Sequence, residues 1–134
     1  MGTWKTYKLG DVADVVGGGT PKTSKAIYWD GDVPWITPKD LSKFSGRWIT
    51  RGERNISALG LANSGAVLLP KGTVLVSSRA PVGYVALAGC ELCTNQGFKS
   101  LVPHEGYCPA FLYYLLKYNT ASLKCVARGS TFPE

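Results

Sequence analysis

The sequence predicts an α+β fold, a single β-rich domain with a short helical element towards its C-terminal end. Three observations carry that expectation. The segment LLPKGTVLVSSRAPVGYVALAGCELCTNQGFKSLVP, from Leu68 to Pro103, holds three apolar, β-prone runs: Thr73–Ser78, Tyr84–Ala88 and Phe98–Val102. Pro, Gly and Asn separate them, as between consecutive sheet strands. Pro109 to Lys117 places apolar residues at helical spacing, with Pro109 suited to the first turn. The chain has 134 residues, 45% of them hydrophobic, enough for one core of ordinary size.

Taken in order, Trp4–Leu9 alternates loosely like a strand, and Asp11 can cap a short helix through Val12, Ala13 and Val16. Gly17 to Lys25, GGGTPKTSK, is a loop by composition. Its glycines leave backbone N–H groups uncovered, and Thr20, Lys22, Thr23 and Lys25 add donors and positive charge, which suits phosphate. It is not a P-loop: one ending in Lys22-Thr23 needs glycine at positions 21 and 16, where Pro21 and Val16 stand. A plain surface loop is the competing reading. Asp30-Gly31 between aromatic and β-branched runs signals a hairpin, with Pro34 confining the second run to an edge or a strand start. Thr37 as cap and Pro38 at the first position open a brief helical turn. Ser57 to Leu61 makes a short helix, ended by Asn63-Ser64-Gly65.

Between Lys39 and Arg54 the chain carries Lys39, Lys43, Arg47, Arg51 and Arg54, interleaved with Phe44 and Trp48. Cations and aromatics in that mixture fit a nucleic-acid surface, by phosphate neutralisation and stacking. A solvated sheet edge kept from aggregating by its charges is the alternative. Overall, 15 Lys+Arg against 9 Asp+Glu give a net charge of +6, which suits a polyanion but does not prove one.

Other classes find little support. No apolar run approaches the ~20 residues that cross a bilayer, and MGTWKTYKLGD lacks the apolar core of a secretory signal, so a cytoplasmic, non-membrane protein is expected. Cys90 and Cys93 form one close pair, whereas a zinc ribbon supplies two; Cys108 and Cys125 stand alone. Ordinary reduced cysteines and no metal are expected. His104 is the only histidine, and no nucleophile elbow, His-Glu-x-x-His or carboxylate cluster appears. A binder, not a catalyst, is expected.

Several stretches together carry a family resemblance. Gly18-Gly19-Thr20-Pro21, then YWDGDVPWITPKDL from Tyr28, LLPKGTVLVSSRAPVGYVALA from Leu68, TNQGFKSLVP from Thr94, FLYYLLK from Phe111 and GSTF from Gly129 stand in family order. They resemble the target recognition domain of type I restriction–modification specificity subunits. The resemblance implies strands wound into a compact sheet or β-helix-like core, with a small helical element near the end. It implies non-catalytic recognition of one half of a bipartite target on double-stranded DNA, with no cofactor. Methyltransferase (modification) and translocating restriction subunits would do the chemistry. It also implies that 1–134 is one recognition domain, ending about where a spacer helix would lead to a second.

The same resemblance implies that motifs such as SSRAPVGY and TNQGFKS recur in members with different targets. Arg79, Gln96 and Lys99 are therefore expected to grip the DNA backbone or hold structure, since phosphate contacts set register without reading sequence. Base readers are expected between Lys43 and Asn55, where Arg47, Arg51 or Arg54 can pair with guanine and Asn55 with adenine. The rival reading is a protein-interaction module docking through Tyr28, Trp29, Trp35 and Trp48.

Overall fold

A computed structural model gives the architecture of residues 12–78 and 84–117. Its strands are β1 (Ala13–Val16), β2 (Trp29–Ile36), β3 (Trp48–Ile49), β4 (Arg54–Ile56), β5 (Val74–Val76), β6 (Val85–Ala88), β7 (Cys93–Thr94) and β8 (Ser100–Pro103). The helices are α1 (Pro38–Lys43), α2 (Ala58–Ala62) and α3 (Pro109–Lys117), and a 3-10 turn at Ala26–Tyr28 leads into β2. A five-stranded sheet has the order β1-β8-β5-β6-β3 and a three-stranded sheet the order β4-β2-β7. From β2 onward the chain alternates between them, β2 in the small sheet, β3 in the large, β4 in the small, β5 and β6 in the large, β7 in the small and β8 in the large. That alternation is the winding of strands expected above.

The middle of the large sheet is covered on both faces, which is why β5 and β6 read as unbroken apolar runs without polar alternation. Val74, Val76, Val85 and Leu87 face α3, packing with Leu112, Tyr113 and Leu116. The residues between them, Leu75, Ala86 and Ala88, pack on the other side with Ile36, Leu41, Ile49, Leu69, Leu92 and Phe98. A third cluster, Trp29, Trp35, Ile56, Ala66 and Cys93, fills the small sheet. The side-chain period of two along each strand thus divides one sheet between two cores.

The three central runs form strands where expected, slightly shortened, with Ser77 and Phe98 joined by a single antiparallel bridge. α1, α2 and α3 also stand where the cap and spacing signals put them. Thr37 caps α1 in a full capping box: its hydroxyl accepts from Asp40 N, and the Asp40 carboxylate accepts from Thr37 N at 2.9 Å. The strand expected at Trp4–Leu9 and the Asp11 cap lie outside the described residues.

Three local expectations are corrected. Ala13–Val16 is a strand, not part of a helix, and pairs antiparallel with all of β8. A helix this short is marginal in water, whereas the free side of β8 supplies backbone partners and burial for Ala13. The Asp30-Gly31 dipeptide makes no hairpin. Trp29 and Val33 both pair with Ile56, so the residues between them bulge out of one continuous strand. Asp30 takes φ 61, a conformation that aspartate tolerates better than most, and a Cβ on Gly31 would stand 2.4 Å from Ser57 Cα. Finally, Pro34 lies in the central strand of its sheet, not at an edge. Its carbonyl accepts from Cys93 Sγ on the β7 side, and pairing with β7 begins only at Trp35, so the missing N–H interrupts no ladder bond.

Cys93 is fully buried, and burial pushes its thiol up to about 12 because the interior disfavours the thiolate. The thiol therefore stays protonated well above its ordinary range. At pH 8 a thiol-alkylating reagent should label exposed Cys108 in the native protein and leave Cys93 unlabelled until denaturant is added, as read by peptide mass spectrometry. Leu75→Ala should destabilise the fold by about 2–5 kcal/mol, whereas Leu59→Ala, at a side chain 47% exposed, should change stability by no more than about 0.5 kcal/mol. Urea unfolding of the two variants checks both.

Candidate nucleic-acid interface

The glycine-rich segment 17–25 has no regular secondary structure, so its position depends on contacts from elsewhere. Two tryptophans supply them. Trp35 Nε1 donates to the Gly19 carbonyl at 2.9 Å and Trp29 Nε1 to the Lys22 carbonyl at 3.1 Å. The rings meet edge to face, centroids 5.0 Å apart, an arrangement favoured by the aromatic quadrupoles. Gly19 N also donates to the Thr94 carbonyl at 3.0 Å. At Gly18 a Cβ would fall 2.2 Å from the Asn95 carbonyl oxygen, so only glycine allows this approach. Thr20, Lys22, Thr23 and Lys25 are left exposed on a loop whose backbone is tied down.

The turn that receives the loop, Thr94 to Phe98, joins most of the expected motifs. Asn95 N donates to the Ile36 carbonyl at 3.0 Å, Ser78 N to the Gly97 carbonyl at 2.9 Å and Lys99 N to the Val76 carbonyl at 2.9 Å. The Asn95 side chain accepts from Gly97 N at 2.8 Å. Gln96 accepts a hydrogen bond from the Thr20 hydroxyl. Gly97 lies against Pro38, the first residue of α1. The glycine loop, the Gln96 turn and the start of α1 therefore form one continuous surface.

The remaining candidates divide by what they touch. Lys39 and Lys43 are exposed on α1. Arg51 borders an open cleft with Lys43, Phe44 and Ile49. Asp40 holds that cleft together, since its carboxylate accepts from Glu53 N as well as from the cap. Sequence reasoning missed this brace; its signal was the aspartate three residues after a Thr-Pro helix start. Arg54 lies over the Trp29 ring, its guanidinium carbon 3.9 Å from the centroid. Arg47 belongs to a different neighbourhood: its guanidinium donates to the Tyr114 hydroxyl on α3 and lies over that ring. Asn55 is half-buried and its amide donates to the Gly31 carbonyl at 3.0 Å, holding the bulge. Lys99 is half-buried, and Arg79 lies outside the described residues.

The aromatic docking surface of the rival reading does not exist as such. Trp29 and Trp35 are 5% and 8% exposed, with both indole N–H groups committed to the loop, and of that set only Trp48 stands well out from the surface. The thiols of Cys90 and Cys93 donate separately to the Thr50 and Pro34 carbonyls. Among the described residues no group of three or more His, Cys, Asp or Glu is placed to hold a metal, and no helix is long and apolar enough to cross a membrane.

Comparison with known proteins places this architecture. The family model for the type I restriction modification DNA specificity domain matches residues 1–134. The chain is 49% identical over 133 residues to the type I restriction enzyme MjaIX specificity subunit of Methanocaldococcus jannaschii, covering 98% of this chain and 31% of that protein. It is 31% identical over 130 residues to the type I restriction enzyme HindI specificity subunit of Haemophilus influenzae, covering 96% of this chain and 28% of that one. Among solved structures, the HsdS subunit from Thermoanaerobacter tengcongensis superposes with a TM-score of 0.67 at 27% identity, over 86% of this chain and 27% of that one. The chain spans roughly a third of the length of these relatives, 31% of the first. With a family model matching end to end and the same fold in a solved specificity subunit, this chain belongs to the type I restriction–modification DNA specificity domain family.

Proposed function

We propose that this domain recognises, without catalysing any reaction, one half of a bipartite duplex-DNA target within a type I restriction–modification complex. The observation that carries the reading is the tethered glycine loop. Its backbone is fixed by Trp29, Trp35 and Thr94 while Lys22, Thr23 and Lys25 remain open to a partner. Fixed backbone with free cations at its surface suits a phosphate backbone, because the loop need not be ordered on binding. Thr20 and Gln96 extend this surface towards Lys39 and Lys43 on α1, with Arg51 on the cleft beside Lys43 and Arg54 on the Trp29 ring that holds Lys22. In this reading lysines and threonines set register on the phosphates, and Arg51 and Arg54 stand nearer the bases. Residues 1–134 act as one recognition domain of a longer specificity subunit, which joins the methyltransferase subunit and, through the complex, the restriction subunit.

Binding to random-sequence duplexes, followed as salt is raised, tests this. Affinity should fall with a log–log slope of about −0.9 per neutralised phosphate. Lys22→Ala and Lys25→Ala should each make the slope shallower by about one, weakening binding evenly across sequences. The titration should be repeated with the methyltransferase subunit present. A flat salt response in both settings would overturn the reading.

A further inference from the structure

The arginines Arg47, Arg51 and Arg54, in and around β3 and β4, are not equivalent in their surroundings, and the difference bears on specificity. The Arg47 guanidinium is engaged by Tyr114. Arg51 lines an open cleft with Asp40 and Glu53, without a stacked ring among the described residues. Arg54 is exposed at the start of β4, an outer strand of the small sheet. Its guanidinium rests on Trp29, and among the described residues it has no hydrogen-bond or ion-pair partner. No described residue engages its N–H donors, and stacking sets their plane.

The platform beneath it is rigid. Trp29 is 5% exposed, its N–H is bonded to the Lys22 carbonyl, and its ring is packed edge to face on Trp35. One indole therefore holds Lys22 by its backbone and carries Arg54 on its face. A stacked guanidinium loses little further freedom when it forms hydrogen bonds, and its planar fork matches the paired O6 and N7 acceptors of guanine. A phosphate contact needs no such fixed plane, and Lys22, whose carbonyl the same indole holds, already supplies a cation for that purpose.

From this geometry we infer that Arg54 reads a guanine in the half-site and that Trp29 is its positioning residue, an inference that rests on the DNA-recognition reading above. Arg54 sets identity at one base pair, while the glycine loop holds the adjoining backbone.

Selection from a duplex pool with a randomised window tests it, with the protein assembled on its methyltransferase subunit and the enriched pools sequenced. Arg54→Ala should reduce the preference for guanine at one position by about 5- to 150-fold and leave the other positions unchanged. Arg54→Lys should lose the same preference while keeping the wild-type salt slope, because an ammonium retains charge but lacks the fork. Both changes are on the surface and leave the core intact. Trp29→Leu and Trp29→Phe both remove the N–H that holds Lys22 and should weaken binding evenly. Only Trp29→Leu should also lose that one preference, since Phe keeps a ring face; a merely structural role would leave the preference unchanged in both. If Arg54→Ala instead yields the wild-type consensus with a salt slope shallower by about one, Arg54 is a phosphate contact. The inference then falls while DNA recognition stands. A wild-type protein that enriches no sequence and shows a flat salt response overturns both.

Discussion

Much of this structure depends on the turn from Thr94 to Phe98, where chain segments far apart in sequence are joined through backbone hydrogen bonds. Gly19, Ile36 and Ser78 all bond to it, and Lys99 immediately after it donates to the Val76 carbonyl. Backbone bonds of this kind leave little latitude, because a buried N–H or C=O without a partner is costly. Gly18 can approach the turn only without a Cβ. The turn thus fixes the glycine loop, the exit of β2 and the exit of β5 relative to one another. The candidate interface inherits its rigidity from that junction.

The tryptophans carry the same constraint outward. In an irregular loop the carbonyls of Gly19 and Lys22 have no ladder to join, and the indole N–H groups satisfy them. In return the loop helps to bury two large aromatic rings that would otherwise open the small sheet to water. Packing and presentation are therefore one arrangement: burying Trp29 and Trp35 holds Lys22 in place and gives Arg54 a surface to rest on. This also explains why aromatic content alone misleads here. The rings that invite a docking interpretation are the internal supports of a charged surface.

Division of labour among the cations follows from their neighbours. Lys22, Lys25, Lys39 and Lys43 are flexible point charges on exposed backbone, suited to a uniform polyanion. Arg47 and Asn55 have protein partners that hold β3 to α3 and the bulge to β4. Arg47 and Arg54 both lie over an aromatic ring, but the Arg47 guanidinium is hydrogen-bonded to Tyr114 whereas Arg54 rests on Trp29 with no hydrogen-bond partner among the described residues. Charge counted along the sequence treats these residues as a single stripe; packing separates them into exposed lysines, a bonded brace and a stacked arginine.

By itself the sequence determined the elements whose causes are local. Thr37-Pro38 opened a helix, Pro109 opened another, and Val- and Leu-rich runs between turn residues became the strands of a β-rich core. The order of motifs also identified the family, since that order needs no coordinates to be seen. The tertiary structure decided whatever depended on a partner distant in the chain. It made Ala13–Val16 a strand, because β8 offered it a pairing edge, and turned Asp30-Gly31 into a bulge, because Ile56 and Ser57 lie opposite. It also withdrew Asn55 and Arg47 into structural bonds while leaving Arg54 on Trp29. Caps and periodicities act over a few residues and can be read from composition. Pairing register and side-chain neighbours come from chain segments tens of residues apart, and only the folded chain brings those together.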